Sequence, residues 1–181
     1  MQLQKNLWAV AMTALAYLGL LSLNQFLFSS FNASALSDLV FLPSGLGLIC
    51  ILLFVEWGSL GMVLGALVMG LDQLTATDPI TALGAAVLSG LSPLVARALC
   101  LRCAALNEDL NGLTAACLLR LTAVFAAVSA LLHQLWFAAR GQGGDLWNGL
   151  VLHFTGDVLG TLVILYGVKL VLDRSPQPSR G

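Results

Sequence analysis

The stretch LVLHFTGDVLGTLVILYGVKLVL, from Leu150 to Leu172, decides the fold. At 1.5 Å per residue it is long enough to cross the roughly 30 Å of hydrocarbon in a bilayer. Its acidic and basic side chains are His153, Asp157 and, near the end, Lys169. The rest of the chain matches it. Of 181 residues, 59% are hydrophobic and 9% charged, against roughly 25% charged in an average soluble domain. A soluble fold needs charge to cover its surface, so lipid is the solvent this composition fits. Disorder is excluded, because it needs low hydrophobicity. Nucleic acid is not an expected partner: Lys+Arg is 8 against Asp+Glu 9, with no basic run to neutralise phosphates.

Working outward, five more apolar segments precede this one: Leu7–Phe28, Leu39–Val55, Ser59–Leu71, Ile80–Leu101 and Leu113–Ala139. The first is too long for a signal-peptide core of roughly 7–15 residues and reads as a retained helix. The first, fourth, fifth and sixth segments qualify as spans alone. Leu39–Val55 qualifies marginally, and Ser59–Leu71 is short enough to be re-entrant. The expectation is an all-α polytopic bundle of about six transmembrane helices over 1–172, with five spans plus a re-entrant segment as the alternative. Residues 173–181 read as a disordered cytoplasmic tail.

Charge placement orients the bundle. With six spans, Lys5, Arg97, Arg102, Lys169, Arg174 and Arg180 share one side. The other side carries Asp38, Asp72, Asp78, Asp145 and one basic residue, Arg140. Cytoplasmic loops are rich in Lys and Arg, which puts both termini in the cytoplasm. Trp8, Trp57, Trp136 and Trp147 lie near segment ends, as an interfacial aromatic belt requires.

Close helix approach in lipid needs small residues. Gly61 and Gly65 form one GxxxG pair, and Gly156 and Gly160 another. The second pair belongs to a stripe of His153, Gly156, Asp157, Gly160, Ile164 and Gly167, spaced by threes and fours on one helical face. That stripe faces the bundle interior, with contacts inside the chain. For Gly61/Gly65 the expectation is a homodimer contact. Pro43, in Phe41-Leu-Pro-Ser-Gly45, removes one backbone hydrogen bond a turn into its segment. It reads as a simple kink or as the mouth of a polar pocket on the extracytoplasmic side, with Gly45 beside it.

Buried ionisable groups cost about 2.5–3.5 kcal/mol on insertion scales and need a partner or a purpose. Asp157 lies seven residues past Leu150, and His133 six before Ala139. On consecutive antiparallel helices that sets them level, about 10 Å deep. Arg120 is nearer the opposite interface and can snorkel there. His133 is therefore the expected partner of Asp157, with His153 lining the same cavity. The pair either fixes helix register or forms part of a ligand, proton or metal site. Paired histidines also suit b-type haem, and H-x-x-x-D suits a divalent metal. The preferred reading has no cofactor and no metal. Cys50, Cys100, Cys103 and Cys117 read as small apolar residues on the reducing side. No nucleophile elbow, P-loop or zincin helix is present, so no enzyme activity is expected.

Four stretches carry a family resemblance. Phe41-Leu-Pro-Ser-Gly-Leu-Gly-Leu with Leu52-Leu-Phe resembles the W-P-x-x-G-hydrophobic signature of bacterial membrane-associated sensor domains of the MASE type, first family. Gly61-Met-Val-Leu-Gly-Ala-Leu is similar to that family's third segment, and Ser89-Gly-Leu-Ser-Pro-Leu-Val-Ala-Arg97 to its fourth. Phe154-Thr-Gly-Asp-Val-Leu-Gly160 resembles its G-D-x-x-G near the last helix. Leu42 stands at the position of the family's tryptophan. The resemblance covers roughly residues 39–172. It implies a multi-pass sensory input module of the bacterial inner membrane, of the kind that feeds histidine kinases and diguanylate cyclases. With no output domain after Leu172, such a sensor would signal through a partner protein. The alternatives are a substrate-capture subunit resembling those of energy-coupling-factor transporters, and a structural assembly protein.

Overall fold

A computed structural model describes residues 2–29, 39–71, 78–102 and 114–174. Among them the regular structure is helical: α1 (Gln2–Ser29), α2 (Leu42–Phe54), α3 (Glu56–Met69), α4 (Pro79–Arg102), α5 (Ala115–Ala139) and α6 (Leu146–Arg174). Four of these, α1, α4, α5 and α6, are long and apolar enough to cross a membrane. The other two have 13 and 14 residues, a rise of about 20 Å each. The sixth helix continues through Asp173 and Arg174.

Short polar side chains start the long helices. Asp78 accepts from Thr81 N at 3.1 Å ahead of Pro79, whose missing N–H costs nothing in a first turn. Thr114 accepts from Cys117 N, and Asp145 from Trp147 N and Asn148 N. Each cap satisfies amide donors that have no partner within the helix. Pro43 falls within the first turn of α2. The expected kink is thus a helix start, because the helix begins at Leu42 and not at Leu39. Asn24 of α1 fixes that start by accepting from Leu42 N at 3.1 Å. Between α2 and α3 the chain turns at Val55, with φ 48°, a region that β-branched residues rarely enter.

Close contacts fix the helix directions. The Cβ that Gly58 lacks would meet the Cys50 carbonyl, and that of Gly47 the Met62 side chain, so α2 and α3 are antiparallel. The third helix runs parallel to α1, with Gly61 against Val10 and Thr13 and Gly65 against Tyr17. The Gly61/Gly65 face expected to hold a second copy is therefore covered by α1 of the same chain. Both are GxxxG contacts, and sequence spacing does not say which helix comes closest. The second helix runs parallel to α6, with Gly45 against Ile164 and Thr161. The fourth runs antiparallel to α3, where Ser59 Oγ donates to Gly90 O at 2.8 Å. Trp136 joins α5 to α4 by packing on Gly84 and donating to Thr81 O. Trp8 and Trp147 are exposed near helix ends, whereas Trp136 is tucked inward.

Directions therefore alternate, and the bundle has two unlike ends. One end gathers Lys5, Arg102, Lys169 and Arg174 with the Val55 turn. The other carries Asp78, Arg140 and Asp145. Asp38, Asp72 and Arg180 lie outside the described residues, as does Cys103, the second residue of the C-x-x-C spacing. The core cluster of Leu48, Ala96, Cys100, Leu121 and Phe125 fills the Lys/Arg-rich half. The short helices leave the other half unequal. Leu42 begins beside Gly156–Gly160, well into α6, and Met69 ends one turn past the level of Tyr17, short of the end of α1. Above those two ends lies a cavity.

Candidate functional site

The cavity has a volume of about 590 Å³ and lies among α1, α4, α5 and α6, with Pro43 and Ser44 of α2 and Met69 of α3 on its wall. Asp157, His153 and His133 all face it. Asp157 is only 2% exposed. A smaller cavity of about 290 Å³, lined by Phe41, Gln134 and Gly149 among others, adjoins the same His153 and Asp157.

The imidazole nearest the Asp157 carboxylate differs from the one expected. His153 Nε2, one turn away on the same helix, lies 3.5 Å from Asp157 Oδ2. His133 stacks on His153, with centroids 4.8 Å apart and planes 29° apart. The discrepancy has a simple cause. The sixth helix starts at Leu146 and not at Leu150, so depth counted from Leu150 is short by one turn. Counted from Leu146, His153 is seven residues deep, level with His133, six residues before Ala139. Asp157 lies one turn deeper.

Ser129 binds this group together, and sequence reading passed over it. Its Oγ is 3.2 Å from His153 Nε2 and also faces the Asp157 carboxylate. Its carbonyl is 2.9 Å from His133 Nδ1. A signal was available, since Ser129 and His133 are four residues apart and share a helical face. The Tyr17 side chain, buried on α1, adds a hydroxyl beside Ser89. Stacked with centroids 4.8 Å apart, the two rings leave no room for an iron between them. That is not the arrangement of two axial haem ligands.

Ser44 ties α2 to this face. Its Oγ lies 2.6 Å from Phe41 O, 3.0 Å from Asp157 O and 3.2 Å from Thr161 Oγ1. The glycines serve contact rather than lining. Phe41 N donates to Gly156 O at 3.0 Å. The Cβ that Gly160 lacks would strike the Phe41 carbonyl, and Gly45 lies flat on Thr161 and Ile164. Pro43 and Gly156 reach the cavity walls; Gly45 and Gly160 let α2 and α6 come close enough to build them.

Charge is distributed unevenly. Among the described residues, the ionisable side chains lining the larger cavity are Tyr17, His133, His153 and Asp157, and none is a Lys or Arg. Arg120 is exposed on α5, away from the cavity lining. Arg140 pairs with Asp78 at 3.2 Å and donates to Thr81 Oγ1 at 3.0 Å. Among the described residues, fold and site together define a helical protein with four membrane-length helices and a polar cavity between them. No family model, curated protein or solved structure matches the chain.

Proposed function

We propose that this chain is a sensory module of the bacterial inner membrane, six-spanning, with both termini cytoplasmic. A small ligand occupies the cavity, and a partner protein reads its presence. One observation carries this reading: a carboxylate, almost wholly buried at membrane depth, faces a cavity large enough for a ligand. Cavities of about 300–1,000 Å³ are usual for small-molecule sites. A group costing about 2.5–3.5 kcal/mol to insert is better replaced by an apolar one where only packing is at stake. The resemblance of the Phe41–Leu48 and Phe154–Gly160 stretches to membrane-associated sensor domains favours a sensory role. A substrate-capture subunit would share the cavity and differ in its partner.

The test uses the full chain, cross-linked in native membranes and purified in mild detergent. Small molecules are quantified after denaturation, and cross-linked proteins are identified. The parent is expected to release one small molecule in near-stoichiometric amount, and Asp157→Leu about tenfold less. The expected partner is a histidine kinase or a diguanylate cyclase. Capture of a transporter's energising subunits instead would replace the sensory reading. Release of nothing but lipid from both chains would overturn the ligand-binding reading altogether.

A further inference from the structure

The hydrogen bonding around Asp157 is incomplete. Among the described residues its Oδ2 has no hydrogen-bond partner, although the atom is buried. The nearest nitrogen, His153 Nε2, is 3.5 Å away and lies closer to Ser129 Oγ at 3.2 Å. The Ser129 hydroxyl has one proton to give, and the imidazole nitrogen at most one. Two such groups facing each other cannot also satisfy both carboxylate oxygens. A buried acceptor without a donor keeps the full cost of its lost hydration, more so when charged. Among the described residues, no side chain places a donor on that oxygen.

Resting on the ligand-binding reading above, we infer that the cavity takes a small organic amine whose ammonium group seats on Asp157 Oδ2. Three further features select this chemistry. Among the described residues no Lys or Arg lines the cavity, so an anionic headgroup meets a carboxylate and no cation there. Phe41, Phe125 and Phe137 contribute to its wall, which suits an apolar body and places aromatic faces near a cation. A bare metal ion is disfavoured by the donor set. Among the described residues no three His, Cys, Asp or Glu side chains converge on one point, and His133 Nδ1 is already engaged by Ser129 O. An ammonium supplies both the charge and up to three N–H donors that Oδ2 and the neighbouring hydroxyls can accept.

The experiment measures binding of three probes of one shape to the full chain in detergent at pH 7. The probes are phenethylamine, 2-phenylethanol and 3-phenylpropionate. Phenethylamine is expected to bind at least about tenfold more tightly than the alcohol, the ratio that about 1.4 kcal/mol supplies. Asp157→Asn keeps the side chain's shape and should reduce that ratio to within about threefold, a residual gap of about 0.7 kcal/mol. Equal binding of amine and alcohol, or tighter binding of the carboxylate, overturns the amine inference and leaves the ligand-binding reading standing. No binding by any probe overturns it as well, and the co-purified molecule then decides the broader reading independently. Should Asp157→Asn fail to fold, the amine-to-alcohol ratio on the parent chain decides alone.

Discussion

Gly160 and Gly167 lie two turns apart on α6 and have opposite surroundings. A Cβ on Gly160 would run into the Phe41 carbonyl, a backbone atom that cannot move aside, whereas at Gly167 nothing lies within 4 Å. Gly160→Ala should therefore lower stability by about 1–3 kcal/mol, the usual cost of overpacking. Gly167→Ala should be neutral or gain up to about 1 kcal/mol from helix propensity. Thermal unfolding of both variants in detergent checks this, and equal shifts would contradict the seating of α2 on α6. In the sequence the two glycines were indistinguishable members of one stripe. Helical periodicity assigns a face, but it does not reveal where a neighbouring helix stops. The same limit explains Asp157. That it is buried and faces inward was legible from its type and spacing. Its neighbour was misassigned because depth was counted from the first apolar residue, whereas the helix begins four residues earlier, behind the Asp145 cap. Ser129, Tyr17 and Ser89 were missed because hydroxyls at membrane depth are common and carry little signal until a partner is seen.

Among elements, the junction of α4 and α5 shows how one acid can organise a bundle end. Asp78 caps α4 through Thr81, and Arg140 from the end of α5 closes on it, with Gln142 Nε2 also donating. The Thr81 hydroxyl first, then its backbone N–H, with the Arg140 guanidinium beside them, hold the Asp78 carboxyl below its ordinary 3.8. A depressed folded-state value means that the ionised acid favours the fold. The contribution is complete above the ordinary value and is lost as pH falls through the folded one. The melting temperature of the parent should thus fall on acidification below about pH 4. Asp78→Asn should start lower at neutral pH and show a shallower acid limb. Parallel limbs in the two proteins would remove Asp78 from this role. Helix existence was readable here from the apolar runs. So was the break at Val55, where the second apolar segment ends and Glu56 follows. There α2 and α3 separate because two short antiparallel helices can each pack on a long one, α6 and α1, which a single continuous helix could not do.

For the whole molecule, packing and charge divide it along the same axis. The half toward Lys5, Arg102, Lys169 and Arg174 is plugged by the Leu48–Phe125 cluster, and the half toward Asp78 and Asp145 contains the cavity. The second end carries one basic residue, Arg140, which pairs with Asp78. In the topology we propose, cytoplasmic retention of Lys and Arg puts the plugged half inside and the cavity toward the outer face. Reporter fusions after Arg174 should read cytoplasmic, and fusions near Gln142 periplasmic. The α2–α3 pair needs a sharper probe, because helices of 13 and 14 residues can form two thin crossings or dip in from one side. Trp57 stands level with Asn6, whose carboxamide oxygen accepts from the indole N–H when its amide is oriented to do so. The Val55 turn therefore lies at the depth of the N-terminal end of α1. A single cysteine at Glu56, in a chain with its native cysteines replaced, should react with a membrane-impermeant maleimide in inverted vesicles and not in intact spheroplasts. Labelling from the periplasmic side, or from neither side, would make α2 and α3 a re-entrant hairpin. The chain would then have four crossings and, both termini still sharing one side, the same outward-facing cavity.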